Sequence, residues 1–276
     1  MRKITLDEAL AQGRGTERPF CCPVHDDSNA SASLNVAKGV WYCHACKASG
    51  TVEGHVPSVE EIIKILAGEV EPRTYAESWL DLFDAYEPSK YWSDRVGLDT
   101  AIKHRCGTGY ESGLPTYPMR DSQGRVLGVV TRHEGQKAKY MYPTGVRTSA
   151  TFYGDLKPAQ VIVLVEGAGD VMALDQSGIP EHWTVLGCFG SGLHAPQVQL
   201  LADLSPKIVV SAFDDDSAGQ GATERAQFQL HDIAPVLSYQ WSKVGGNDPG
   251  DVPIEIRTKG IVEMILNSSY KKYASN

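Results

Sequence analysis

The sequence predicts an α/β protein with an N-terminal zinc ribbon, followed by a core in which a small mixed α+β basic subdomain precedes a parallel-sheet α/β subdomain. Three observations predict this. Two short Cys/His pairs lie within the first fifty residues, short apolar runs alternate with helical segments after Pro158, and two of those runs end in acids.

The pairs are Cys22-Pro23-Val24-His25 and Cys43-His44-Ala45-Cys46, with seventeen residues between them. Each pair can place two ligands on one turn, so Cys22, His25, Cys43 and Cys46 are expected to close a tetrahedral structural Zn2+ site. Residues 1–56 hold few large aliphatics, and a core that weak needs such a staple. Cys21 is an alternative to Cys22, which has the better spacing to His25. Cys106 and Cys188 stand alone and read as small buried residues. Trp41 and Tyr42, near Lys38, are either a stacking surface for single-stranded bases or simply the ribbon's core.

Residues 57–76 read as helix and linker. Ser58 and Glu61 form a capping box, Ile62, Ile63, Ile65 and Leu66 keep helical spacing to Gly68, and Glu69 to Arg73 links onward. Residues 77–157 are expected to begin with a helix carrying Trp79, Leu80, Leu82 and Phe83. Short strands around Gly124 and Gly128 follow, joined in a hairpin by Ser122-Gln123-Gly124. Residues 158–276 alternate apolar strands (Val161 to Val165, Thr184 to Leu186, Ile208 to Phe213, Val236 to Tyr239) with helices, which is the pattern of a parallel sheet.

A formal charge of -8 argues against coating nucleic acid by bulk positive charge. Between Ala101 and Ala150, however, eight basic side chains stand against three acidic ones. No run of eighteen apolar residues and no apolar leader is present, so the chain is read as cytoplasmic, without membrane contact. The absence of a Gly-x-x-x-x-Gly-Lys-Ser/Thr loop excludes a fused ATP-driven helicase from these residues.

Glu166 directly follows the run Val161 to Val165, so it lies at the carboxyl end of a parallel strand, where α/β active sites form. The run Ile208 to Phe213 leads into Asp214-Asp215-Asp216-Ser217-Ala218-Gly219. Alternation along that tip puts Asp214 and Asp216 on one side and Asp215 on the other. Crowded carboxylates repel, and hard cations such as Mg2+ (or Mn2+) relieve them. A solvated acidic turn has the same composition, but a second acidic tip at Glu166 speaks against it. Asp248, in Asn247-Asp248-Pro249-Gly250-Asp251, is a further candidate or part of a common turn.

Glu166-Gly-x-x-Asp170 with Asp214-x-Asp216-x-Ala218-Gly219 resembles the Toprim signature, and the two Cys/His pairs resemble the CHC2-type zinc ribbon of DnaG-type DNA primases. Pro118 through Gly128 and Lys139 through Gly154 look like the basic subdomain of the same family. The resemblance implies that Glu166, Asp214 and Asp216 hold catalytic Mg2+, with Asp170 and Asp248 as supporting acids. It also implies that Arg120, Arg132 and Lys139 face nucleotide phosphates or template. Asn247 and Gly250 depart from the family's usual lysine and second acid. The compact length resembles the primase part of phage primase-helicases, which would imply a phage or plasmid origin and a bacterial host cytoplasm.

Implied partners are a single-stranded DNA template, nucleoside triphosphates and a separate replicative helicase. The implied reaction is RNA primer synthesis: a 3′-hydroxyl attacks the α-phosphorus of a triphosphate and pyrophosphate leaves in line. A Toprim nuclease would use the same acids to cleave. A catalytically silent module binding single strands or a helicase would not need them, and a topoisomerase would need strand-gating domains.

Overall fold

The computed structural model describes residues 17–28, 30–35, 40–51, 74–83, 88–109, 112–134, 139–143 and 146–274. The expected capping box, helix and linker at 58–73, and Lys38, lie outside them. The chain divides into two compact units, Met1–Glu71 and Pro72–Asn276. No helix among the described residues is long and apolar enough to cross a membrane.

The first unit is a four-stranded antiparallel ribbon in sequence order: β1 (Glu17–Phe20), β2 (Ala32–Asn35), β3 (Val40–Cys43) and β4 (Ser49–Thr51). Strand alternation sorts its side chains. Ala32, Leu34, Trp41 and Cys43 face inward with Phe20 and Cys22, while Val40 and Tyr42 face out. Trp41 packs edge-on against Phe20 at 5.9 Å, so it is core. Tyr42 is exposed, its ring edge-on to His44 at 5.3 Å. Gly50 is required beside Trp41, since a Cβ there would lie 2.7 Å from the indole nitrogen.

The second unit opens with a 3-10 helix, Glu77–Phe83, where the sequence suggests a helix of unspecified type. Its Leu80 packs on Val126. Helices α1 (Lys90–Val96) and α2 (Leu98–Lys103) follow, then the antiparallel sheet β5 (Gly107–Thr108), β6 (Pro115–Arg120), β7 (Val126–Arg132) and β8 (Tyr140–Met141), in that order. The β6–β7 turn forms because Asp121 accepts the N–H groups of Gln123 and Arg125, each at 2.9 Å, and Gly124 takes φ 77°.

The parallel sheet has strand order β10-β9-β11-β12, from β9 (Val161–Val165), β10 (Trp183–Gly187), β11 (Ile208–Ser211) and β12 (Val236–Ser238). Helices α3 (Ala168–Gln176), α4 (Ala195–Leu204) and α5 (Ser217–Gln229) connect them, and α6 (Ile254–Leu266) closes the unit. The unbroken apolar run of β9 is explained by burial on both faces. Val161, Val163 and Val165 join one core with Trp92, Tyr117 and Ile208, while Ile162 and Leu164 join another with Leu186, Leu201 and Phe213. Each such side chain contributes roughly 1.5–3 kcal/mol. Strand β11 ends at Ser211, two residues before the expected Phe213. Beyond it the Ala212 carbonyl is taken by the Trp241 indole N–H at 3.0 Å instead of a ladder partner.

Candidate active site and metal centre

In the ribbon, donor atoms of Cys22, His25, Cys43 and Cys46 all lie within 4.8 Å of one another. Cys21 is outside this group, which resolves the ambiguity at the first pair. The Cys22 and Cys46 sulfurs are 3.7 Å apart, and His25 Nδ1 is 4.0 Å from Cys43 Sγ. Burial pushes the Cys43 thiol up, but the Ser31 hydroxyl and the N–H groups of Cys46 and Ala45 outweigh it and hold Cys43 down at about 6. A thiolate is the metal-binding form. The set is Cys3His with tetrahedral reach, and it fits zinc.

The parallel topology brings the tips of β9, β10 and β11 to one edge of the sheet. Glu166 leaves β9 there partly buried, and its Oε1 is buried without a hydrogen-bond partner. Burial, followed by the charges of Asp214 and Asp216, pushes Glu166 up to about 7. Asp214 is pushed up to about 6 by burial and then by Asp248 and Asp216. Asp170 is buried in the first turn of α3, where its Oδ2 accepts the Gly167 N–H at 3.0 Å. Burial and the charges of Asp248 and Asp214 raise it to about 7. An orphaned carboxylate oxygen amid mutually repelling acids fits a hard divalent cation.

Asp216 is the N-cap of α5, its Oδ1 accepting from Ala218 and Gly219 at 2.8 and 2.9 Å. Asp215 is engaged elsewhere, its Oδ2 accepting the Ser242 N–H at 2.6 Å. Asp248 organises its own turn, its Oδ1 accepting the Asp251 N–H at 3.0 Å. Buried Arg257 steadies that loop by donating to the carbonyls of Val252 and Ala173, each at 3.0 Å. A Cβ at Gly250 would lie 2.9 Å from Asp248 Oδ1, so glycine suits the departure noted there.

Arg95 was missed by sequence reasoning. It projects from α1 to 3.9 Å from Asp248 Oδ2, and a Cβ on Gly169 would meet its guanidinium at 3.1 Å. It pulls Asp170 and Asp214 down against their neighbours. No local motif announces it, because the pairing is made by helix packing.

The three basic candidates lie in or beside the antiparallel sheet. Arg120 is gripped by Glu77 through two hydrogen bonds of 2.7 and 2.8 Å and also donates to the Gly124 carbonyl. Arg132 pairs with Glu134 at 3.2 Å, and its guanidinium lies 4.2 Å from the Tyr91 ring centre. Lys139 is exposed, its carbonyl accepting from His133.

Residues 163–252 match the Toprim-like family model, and residues 8–65 match the CHC2 zinc finger model. The DNA primase of Legionella pneumophila is 26% identical over 286 residues, covering 77% of this chain and 49% of that protein. The DNA primase of Deinococcus radiodurans is 26% identical over 316 residues, covering 88% and 54%. The chain thus spans about half the length of these relatives. Its fold is shared by the zinc-binding and RNA polymerase domains of Aquifex aeolicus primase, with TM-score 0.51, 18% identity and coverage of 94% and 77%. It is also shared by the RNA polymerase domain of Mycobacterium tuberculosis primase DnaG, solved with a double-stranded DNA oligomer bearing a 6-nucleotide overhang. There the TM-score is 0.51 at 19% identity, covering 76% and 82%.

A Toprim α/β subdomain and a CHC2 zinc ribbon in one chain define the class of protein. Within that class, the sequence relatives are DNA primases, so the chain is similar to the DnaG-type primases and shares their fold.

Proposed function

We propose that this chain synthesises short RNA primers on a single-stranded DNA template from nucleoside triphosphates, as a primase-type nucleotidyltransferase. The observation that carries the reading is the convergence of Glu166, Asp214 and Asp216 at neighbouring strand tips, in a chain that also carries a Cys3His ribbon.

Glu166, Asp214 and Asp216 would hold Mg2+ (or Mn2+), with Asp170 and Asp248 as supporting acids. When bound, the metal lowers the pKa of an attacking 3′-hydroxyl and neutralises charge developing on the phosphoryl oxygens. The protein's own part is positioning. Asp216 is tied to the first turn of α5, which keeps its carboxylate from swinging away, and Glu166 is held partly buried at the end of β9. Arg132 and Lys139 are assigned to triphosphate or template backbone, as is Arg120, although Glu77 occupies much of its donor fork. The ribbon is assigned to template reading, with Tyr42 as its exposed stacking ring. A separate helicase would deliver the single strand, in the cytoplasm where replication proceeds.

The test is incubation with varied single-stranded templates, labelled nucleotides and Mg2+. Short products that follow the template sequence support the reading. Strand cleavage without synthesis supports a Toprim nuclease, and neither activity supports a binding module.

A further inference from the structure

The residue that leaves the tip of β10, beside the acidic tips of β9 and β11, is aromatic and conformationally unusual. Phe189 has φ 61°, a left-handed backbone that a bulky side chain rarely adopts. Glycine would hold this turn without strain, and glycine does occupy the next position, Gly190. Strain kept at such a place points to use of the side chain.

The turn is clamped from several sides. The Cys188 N–H donates to the Val165 carbonyl at 2.9 Å, and the Gly190 N–H donates to the carbonyl of Glu166 itself at 3.0 Å. Arg225 holds the Ser191 carbonyl at 2.9 Å. Gln197, wholly buried, donates to the carbonyls of Cys188 and Thr151, tying this loop to the segment that follows β8. That segment presents a second ring. Tyr142 is 37% exposed and meets Phe189 edge-to-face, with ring centres 5.6 Å apart. Pro143 seats it by lying so close to β7 that a Cβ on Gly128 would be 2.7 Å away.

Phe189 is only partly buried. In an edge-to-face pair the ring that presents its edge keeps both faces clear of its partner. We infer that the Phe189–Tyr142 pair is a stacking ledge for a nucleobase whose phosphates would reach the divalent cation that the adjacent acidic tips are assigned to hold. A flat aromatic surface takes any base, which suits an enzyme that must accept all four. The inference rests on the proposed function only in assigning nucleotides to the acidic site.

The experiment is equilibrium binding to the full chain, with Mg2+, of three probes: ATP, inorganic tripolyphosphate, and a single strand carrying 2-aminopurine. The proteins are wild type, F189A, F189G and F189Y. F189G removes the ring while relieving the backbone, and because Phe189 also packs against the core, melting temperature is followed in parallel so that binding is compared on folded protein. Loss of about tenfold in ATP affinity in F189A and F189G, with tripolyphosphate unchanged and F189Y restored, supports an incoming base on the ledge. The same loss confined to the 2-aminopurine strand supports a templating base there. Equal weakening of ATP and tripolyphosphate, or no change with any probe, overturns the ledge. A chain that binds ATP through Phe189 yet makes no templated product defeats the primase reading alone. Primer synthesis by a chain whose F189G variant binds every probe normally defeats the ledge alone.

Discussion

Asp216 accepts the backbone N–H of Gly219 at 2.9 Å, so a carboxylate assigned to metal also caps its own helix. The two duties separate by substitution. Asn caps as well as Asp, so Asp216→Asn is expected to abolish synthesis with stability unchanged, whereas Asp216→Ala also loses about 1 kcal/mol. Gly219→Ala is expected to damage both, because its Cβ would lie 2.0 Å from the Asp214 carbonyl oxygen. Thermal melts beside activity assays check all three.

The acidic site makes stability depend on pH in the direction opposite to ordinary acid denaturation. Glu166 and Asp170 are raised to about 7 and Asp214 to about 6, so the fold keeps protons that the unfolded chain releases near pH 4. Metal-free stability is therefore expected to fall as pH rises from about 4 to 7 and then to level off. Mg2+ is expected to stabilise the protein much more at pH 8 than at pH 5, and Glu166→Gln to flatten the slope. Melting curves across that range, with and without Mg2+, decide it.

A normally signed group lies on α3, away from the strand tips. Burial raises Asp175, but hydrogen bonds from His104 at 3.0 Å and Lys103 at 2.7 Å prevail and hold it at about 2. Its contribution, roughly 2 kcal/mol, is present above the unfolded value near 4 and is lost as pH falls through about 2. Asp175→Asn is expected to cost about 1–2 kcal/mol at pH 7 and almost nothing at pH 2. Denaturant titrations at the two pH values test this, and an equal loss at both would contradict it.

Zinc is expected at one tightly held ion per chain, lost when Cys43 and Cys46 are both changed to Ser. Since each compact unit has its own core, chelation should melt the ribbon and leave the transition of Pro72–Asn276 in place. Metal analysis and calorimetry test this, and a single transition shifted as a whole would contradict it.

The parts legible in the sequence are those written in local spacing. Two close Cys/His pairs announce a tetrahedral site, and runs such as Val161–Val165 announce a strand buried on both faces. Acids following those runs are placed by strand direction alone. Asp215 turning from its neighbours follows from alternation, but its Ser242 partner does not. What could not be read is made by packing between distant segments. Arg95 meets Asp248 across more than 150 residues, Arg120 is claimed by Glu77, and Gln197 ties two loops together. Trp41 and Tyr42 were inseparable in sequence because only strand pairing decides which of two adjacent aromatics faces the core.

The central claim is that Glu166, Asp214 and Asp216 form one metal-binding catalytic site, and the most direct measurement is templated primer synthesis by Asp214→Asn beside Asp215→Asn. Asp214 is coupled to the other acids, whereas Asp215 is spent on the Ser242 N–H, a bond that the Asn side-chain oxygen can keep. The account predicts no product from Asp214→Asn, near-normal product from Asp215→Asn, and melting temperatures not below wild type in either. Normal synthesis by Asp214→Asn, or an Asp215→Asn protein as inactive as its neighbour, would contradict it.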